Sequence, residues 1–331
     1  MRGFRISEQS EIFEMRREAE KLGESIGFSP EDCGRVALVA TELATNVLKH
    51  AGHGEVLLGL SENASLPCVE LLALDQGPGM ADVDASLVDG HSTVGTHGTG
   101  LGAAKRQSTS FAIYSASGQG TAVHARVCRS KIAFSPRDKI PWAVVWRAMP
   151  GEELCGDGFC VREGQGGLVG LVADGLGHGA FAAKAAQESV RIFEKSTAAN
   201  VDDVLENVHQ GLRATRGAAV AVASVDPSAG VVSFSGIGNI AGSLIAAGVT
   251  RRMVSRNGTA GLVARQIQGF QYSFKGEALL VLHSDGLSSN WSLNKYPGLA
   301  QCDPALIAAV LYRDFARQRD DALVLVVRVE S

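Results

Sequence analysis

The chain has 331 residues, 45% hydrophobic and 20% charged, a composition that excludes an intrinsically disordered polypeptide and a length that fits two ordinary domains. Residues 1–130 carry 11 basic and 16 acidic side chains and residues 131–331 carry 20 and 19, so neither half has the basic excess a nucleic-acid binder needs. Glycine is the outlier, 39 residues against 9 prolines, where about 7% is usual; without a Gly-X-Y period this excludes collagen-like and low-complexity chains.

The six cysteines, at 33, 68, 128, 155, 160 and 302, form no C-x-x-C and no regular spacing, which reads as reduced intracellular thiols. Residues 1–30 read as charged amphipathic helix rather than a signal peptide. No apolar run approaches the ~18–20 residues of a membrane span. The expectation is a cytoplasmic protein with no membrane partner.

In chain order, Ser7 is placed to cap a helix whose apolar positions Ile12, Met15, Ala19, Leu22 and Ile26 keep helical spacing up to Gly27. Ser29-Pro30-Glu31-Asp32 then supplies a cap, an N1 proline and first-turn acids for a second helix running to about His50, ended by Gly52 and Gly54. Strands are expected at Glu55–Leu60 and Cys68–Leu74. A Gly/Asp/Ser/Thr-rich stretch, Gly77–Gly100, leads to a short helix near Leu101–Gln107. A hairpin of Phe111–Ser115 and Thr121–Val127 closes an α/β sandwich. A connection follows at residues 130–140, giving expected domains of 1–129 and 141–331. The second domain shows strand candidates at 142–148, 158–162, 167–173, 217–225, 231–237, 241–246, 278–283 and 322–329. Helices at about 179–195 and 201–213, and a last one at 304–317, suggest a β-sandwich flanked by helices.

Glu42 and Asn46 sit four apart on the second helix, so both project from one face. A carboxylate and a carboxamide held this way can position Mg²⁺ and activate a hydroxyl, although exposed helices carry such pairs routinely. Asp75, followed by Gly77 and Gly79, ends an apolar strand, where a carboxylate can accept a hydrogen bond from a base amine and glycines admit close approach; a simple turn has the same form. Gly98-Thr99-Gly100-Leu101-Gly102 opens a helix with free N–H groups for phosphates. No P-loop pattern exists anywhere.

Taken together, E-L-A-T-N, D-x-G-x-G, G-T-G-L-G and then Gly120-Thr121 resemble the GHKL ATPase superfamily. Within it, residues 1–128 look like the small serine/threonine switch kinases of bacterial partner-switching systems. Asp89-Gly90-His91-Ser92-Thr93 and Lys105-Arg106 look most like the RsbT type. The resemblance implies ATP and Mg²⁺ as cofactors, with Asn46 on the metal and Glu42 as base. It also implies that Asp75 reads adenine with Thr121 behind it, and that Gly98, Thr99, Gly100, Leu101 and Gly102 wrap the phosphates.

Four aspartates stand out in the second half by placement. Asp157 opens a strand, Asp174 and Asp285 end apolar strands and are each followed by glycine, and Asp320-Asp321 precede the last strand. Each alone fits a turn. Gathered together they form an all-oxygen set suited to Mg²⁺ or Mn²⁺ rather than zinc, and two such ions can activate water and clamp a phosphoryl group. In this order they resemble the metal-dependent phosphatases of the protein phosphatase 2C superfamily, closest to the SpoIIE-type branch, and Gly236-Ile237-Gly238-Asn239-Ile240 suggests an RsbX-like subset. The resemblance implies Asp157, Asp174, Asp285 and Asp320 as ligands of two Mn²⁺ or Mg²⁺ ions, with the Gly175 carbonyl assisting and Asp321 the less favoured substitute for Asp320. Ala322-Leu323 stand where many relatives carry a threonine. His178 reads as a helix-start residue packing beside glycines, with proton donation the rival. Trp142 and Trp146 read as core.

The combined expectation is an α/β (α+β) two-domain chain, a GHKL sandwich followed by a phosphatase 2C-like β-sandwich. It would be a bifunctional regulator whose kinase domain phosphorylates a serine or threonine of a STAS-domain protein and whose phosphatase domain, with Asp174 and Asp285 at its centre, reverses such a modification. The alternative keeps only the phosphatase, with the ATP-binding domain as sensor or docking module, although Glu42 argues for catalysis. Homodimerisation is left open.

Overall fold

The computed structural model describes residues 1–63, 66–83, 100–129, 141–164, 167–264 and 266–331. They form two compact units, Met1–Ser135 with Ser292–Arg313, and Pro136–Trp291 with Asp314–Ser331. The expected linker, residues 130–140, lies outside the described residues, as do Gly98, Thr99 and the Asp89–Thr93 motif.

The first unit is a five-stranded antiparallel sheet in the order β1-β2-β3-β5-β4, from β1 (Arg2–Ile6), β2 (Gly54–Leu60), β3 (Cys68–Asp75), β4 (Ser110–Ser115) and β5 (Thr121–Cys128). Helices α1 (Gln9–Ser25), α2 (Pro30–Ala51) and α3 (Gly100–Gln107) accompany it. Alternate residues of the strands, among them Val56, Leu58, Leu71, Ala73, Val123 and Ala125, meet Ile12, Met15, Ala19, Val36, Val39, Ala40, Leu43 and Val47 in one core, as the period-2 and period-3.6 patterns require. Ser29 Oγ accepts the Asp32 N–H at 3.1 Å, and Gly52 ends α2 at φ 75°, a left-handed cap that suits glycine.

Three expectations change here. Residues 2–6 are a strand, not helix, and α1 is capped by Glu8 in a capping box with Glu11 rather than by Ser7. Cys68 and Cys128 face each other in the β3–β5 register and are joined by a disulfide; a sequence separation of 60 carries no motif that would have revealed it. Finally, Ser292–Arg313 belongs to the first unit. Its helix α6 (Pro304–Phe315) is buried at every position from Pro304 to Tyr312, so no amphipathic stripe indicates which core it joins. Tyr312 Oη donates to Glu55 Oε2 at 3.2 Å and Gln119 Nε2 to the Lys295 carbonyl at 2.9 Å.

On the sheet of this unit, buried Glu70 accepts from His124 Nε2 at 2.7 Å and Arg126 Nε at 2.8 Å. Burial pushes its carboxyl up, but His124 and Arg126 outweigh that and hold it at about 2.

The second unit stacks two five-stranded sheets. One runs β15-β10-β9-β8-β7 and the other β12-β11-β16-β17-β6. Their strands are β6 (Trp142–Arg147), β7 (Asp157–Gly164), β8 (Gly167–Gly175), β9 (Ala218–Asp226), β10 (Val231–Ile237), β11 (Ala241–Ala246), β12 (Val249–Arg252), β15 (Phe270–Ser273), β16 (Glu277–His283) and β17 (Ala322–Glu330). The pair β13 (Gly258–Thr259) and β14 (Val263–Ala264) stands apart. Leu168, Val172, Ala221 and Ala223 turn to the core between the sheets. Their neighbours Leu171, Ala173, Val220 and Val222 turn outward to α4 (Ala180–Lys195) and α5 (Val201–Gly211). That double burial explains why β8 and β9 read as continuous apolar runs. Trp142 and Trp146 flank Phe159 edge-on in this core. The short strands β12 to β15, absent from the sequence reading, are two to four residues each, too short for a periodic signal.

Candidate functional site

Two groups of side chains stand out, one in each unit. In the first, Glu42 and Asn46 on α2 both face the start of α3. A Cβ on Gly100 would lie 2.7 Å from Glu42 Oε2 and 3.5 Å from Asn46 Oδ1, so a larger residue here would displace the Glu42 carboxylate from its position beside the helix start. Asn46 Nδ2 is buried with no hydrogen-bond partner in the described structure, a costly state for the protein alone and one that suits a site awaiting a ligand. Asp75 closes β3 with Oδ1 accepting from Gly77 N at 2.8 Å and Thr121 N at 3.2 Å. Both bonds fall on one oxygen. Burial raises the Asp75 carboxyl above its usual range, against those two bonds.

The D-x-G-x-G turn is shaped by close approach. Gly79 has φ 70°, and a Cβ there would sit 2.1 Å from the Ala116 carbonyl oxygen. The residue that sequence reasoning missed is Arg313, whose Nη1 donates to the Asp75 carbonyl at 2.9 Å. Nothing in its local pattern signals the contact, because it depends on which core α6 joins. Gly100, Leu101 and Gly102 form the first turn of α3; Lys105 and Arg106 on its last turn are exposed.

In the second unit the strand ladders gather the aspartates. Asp157 on β7 lies directly opposite Asp174 on β8. Trp146 Nε1 holds the Asp157 carbonyl at 3.0 Å, and Ser284 Oγ, beyond the end of β16, donates to Asp157 Oδ2 at 2.6 Å. Asp285 follows, and Asn239 Nδ2 donates to its Oδ2 at 2.6 Å. The Asp285 carboxylate lies close enough to Asp174 and Asp320 to raise the carboxyls of both. Asp321, by contrast, has both oxygens occupied by backbone, Met149 N on Oδ1 and Gly156 N on Oδ2, each at 2.8 Å. It braces the loop that leads to Asp157.

Burial and then the neighbouring carboxylates push Asp174 up to about 8 and Asp157 well above the usual range; burial and Asp285 raise Asp320 as well. Like charges in a desolvated cluster share protons when no cation neutralises them. Among the described residues no three of these side chains stand in a ready-made ligand arrangement. The donor set is nonetheless all hard oxygen, with a carboxylate excess that fits Mg²⁺ or Mn²⁺. Close packing fixes the glycines: a Cβ on Gly175 would meet the Ala182 carbonyl oxygen at 2.1 Å, and one on Gly286 the Asp321 carbonyl oxygen at 1.7 Å.

His178 departs from expectation. It is 62% exposed and bonds Glu152 Oε1 through Nδ1 at 2.8 Å instead of packing among glycines.

An orphaned carboxamide faces a glycine helix start in one unit, and a buried aspartate cluster with raised carboxyls stands in the other. Comparison with known proteins gives the same division: residues 7–127 match the histidine kinase-like ATPase domain and residues 164–330 match stage II sporulation protein E (SpoIIE). The chain belongs to the SpoIIE family and carries an N-terminal histidine kinase-like ATPase domain.

Among curated proteins it is similar to the serine/threonine-protein kinase RsbT of Bacillus subtilis, 31% identical over 121 residues, 37% of this chain and 91% of that protein. It is also similar to the phosphoserine phosphatase RsbX of Bacillus subtilis, 26% identical over 90 residues, 27% of this chain but only 45% of the relative. Among solved structures, one from a bacterial stressosome system adapted to control secondary messenger signalling is 28% identical with a TM-score of 0.54, over 57% of this chain and 99% of that one. The phosphatase 2C domain of Bacillus subtilis SpoIIE with a fragment of its regulatory domain shares the fold at 15% identity and a TM-score of 0.50, over 97% of this chain and 92% of that one. The expected two-domain α/β architecture is therefore observed. Among the described residues, no helix is long and apolar enough to cross a membrane.

Proposed function

We propose that the chain is a bifunctional partner-switching regulator, a protein serine/threonine kinase joined to a metal-dependent protein phosphatase that act on STAS-domain proteins. The observation that carries the phosphatase half is the convergence of Asp157, Asp174, Asp285 and Asp320, where burial and the neighbouring carboxylates raise the carboxyls of Asp157, Asp174 and Asp320, a state that two divalent cations would relieve.

In the first unit, Asn46 would hold Mg²⁺ through its carboxamide oxygen, and Glu42 would accept the proton of the target hydroxyl. Asp75 Oδ2 would take the adenine amine, while Thr121 N and Gly77 N fix the orientation of Oδ1. Gly98–Gly102 would supply N–H groups to the phosphates. Positioning and charge neutralisation do most of the work in such a transfer.

In the second unit, Asp157, Asp174, Asp285 and Asp320, with the Gly175 carbonyl, would hold two Mg²⁺ or Mn²⁺ ions. When bound, these supply Lewis-acid activation of water and of the phosphoryl group. The protein's part is orientation: Ser284 fixes Asp157, Asn239 fixes Asp285, and Asp321 ties down the Met149 and Gly156 backbone. The RsbT and RsbX similarities support the pairing of these two activities on partner-switching proteins. Location in the cytoplasm, with no membrane or nucleic-acid partner, belongs to the same reading.

Label from γ-phosphate-labelled ATP should pass to a STAS-domain protein with wild type and not with Glu42→Ala. Transfer absent in wild type would leave the first unit a nucleotide-dependent sensor. Mn²⁺-dependent hydrolysis of p-nitrophenyl phosphate should vanish in Asp174→Ala and in Asp285→Ala; persistence in both overturns the metal assignment.

A further inference from the structure

A phosphatase needs a surface that recognises the protein around the phosphorylated residue, and nothing in the aspartate cluster itself supplies one. The loop that follows Asp174 does carry side chains suited to it. Leu176 is 53% exposed, Phe181 at the start of α4 is 63% exposed, and Leu262 between β13 and β14 is 54% exposed. The three are brought together by backbone. Leu176 N donates to the Gly217 carbonyl at 3.0 Å, and Leu262 Cγ lies 3.2 Å from where a Cβ on Gly217 would be. Arg216 stands among them with its guanidinium stacked on the Phe181 ring at 4.4 Å, and its Nη1 is 3.8 Å from the Cβ position of Gly177.

This arrangement is unusual for a free surface. Large apolar side chains that are more than half exposed and clustered mark an interaction site. A guanidinium held over an aromatic face is pre-organised and loses little freedom on binding. Gly177 is three residues from Asp174, so at about 3.3–3.6 Å per residue the patch begins within about 11 Å of the cluster along the chain. That is the span of two or three residues of extended peptide. Its charge also decides the partner: the aspartates attract cations, whereas Arg216 offers a fixed positive group outside them, complementary to a carboxylate on the incoming chain.

Resting on the phosphatase reading above, we propose that Leu176, Phe181, Leu262 and Arg216 form the substrate-docking surface for a phosphoprotein segment. An apolar side chain about two residues from the phosphorylated serine or threonine would lie on Phe181 and Leu262, and a carboxylate about three residues away would pair with Arg216.

The test uses the full chain loaded with Mn²⁺ and three ten-residue phosphoserine peptides. The first carries Leu two residues and Asp three residues from the phosphoserine on both sides. The second carries Gly at all four positions, and the third replaces Asp by Lys. Wild type should favour the first over the second by at least tenfold in kcat/KM, the scale of one good apolar contact plus an ion pair. Phe181→Ser should reduce that ratio to near one. Arg216→Glu should invert the preference between the Asp and Lys peptides, a result that loss of fold cannot produce.

Equal kcat/KM for the three peptides in wild type, while p-nitrophenyl phosphate is still hydrolysed, overturns the docking surface and leaves the phosphatase reading standing. No hydrolysis of p-nitrophenyl phosphate or of any peptide overturns that reading itself. A wild-type dimer that Phe181→Ser converts to monomer, with no change in peptide preference, assigns the patch to self-association and also overturns the proposal.

Discussion

Asp174→Asn should make the metal-free protein more stable. Asp174 carries a folded-state pKa of about 8 against an ordinary value of 3.8. For a carboxyl whose pKa is raised on folding, the unfolded chain releases its proton first, so stability falls as pH rises from about 4 and levels off above about 8. At pH 7 the gap is about three units, an upper limit near 4 kcal/mol. Burial and the neighbouring carboxylates both contribute, and about half of that limit, about 2 kcal/mol, is the expected gain. Asparagine is nearly isosteric and carries no charge, so it removes that cost. For a unit of this size about 2 kcal/mol raises Tm by ~4–8 °C. Thermal melting in EDTA at pH 5, 6, 7 and 8 should show a gap between variant and wild type that widens with pH. Adding Mn²⁺ should then stabilise wild type and leave the variant nearly unmoved. A variant equal to or less stable than wild type in EDTA at pH 8 would refute the strained-cluster account.

Glu70→Gln should cost about 3 kcal/mol at neutral pH, because the carboxyl is held at about 2 against roughly 4.5 unfolded. That contribution is present above about pH 4.5 and disappears as pH falls toward 2, so the wild-type and variant melting curves should converge in acid; a constant gap contradicts the ion-pair account. Gly286→Ala, whose Cβ would meet the Asp321 carbonyl oxygen at 1.7 Å, should abolish cooperative unfolding of the second unit by calorimetry, and a native-like transition would show that the approach is looser. Asp75→Asn should weaken ATP binding about 10–100-fold in titration calorimetry with little effect on GTP, whereas equal losses for both would place the carboxylate elsewhere than on the base.

Much of this architecture was legible in the sequence because its signals are local. Ser29-Pro30 and Gly52 mark both ends of α2, and the apolar runs ending in Asp75, Asp174 and Asp285 announce strands that deliver carboxylates to one end. The illegible parts depend on tertiary choice. Arg2–Ile6 is too short and too charged to read as a strand until β2 pairs with it. The partnership of Cys68 and Cys128 follows from register alone. Asp320 and Asp321 are adjacent in sequence, and only the backbone bonds to Met149 and Gly156 separate a bracing residue from a ligand candidate. Asn239 was visible as a motif residue, but its bond to Asp285 was not. Helix α6 is buried all round from Pro304 to Tyr312, so its place in the first unit, and with it the Arg313 contact to Asp75, had no sequence signature.

The most direct test of the two-activity account is a single labelling time course. A STAS-domain protein is incubated with γ-phosphate-labelled ATP, Mg²⁺ and either wild type, Glu42→Ala or Asp174→Asn, with Mn²⁺ added midway. Label should accumulate and persist with Asp174→Asn, stay lower with wild type and fall further after Mn²⁺, and never appear with Glu42→Ala. Label absent from the Asp174→Asn reaction, or retained after Mn²⁺ with wild type as fully as with the variant, would contradict it.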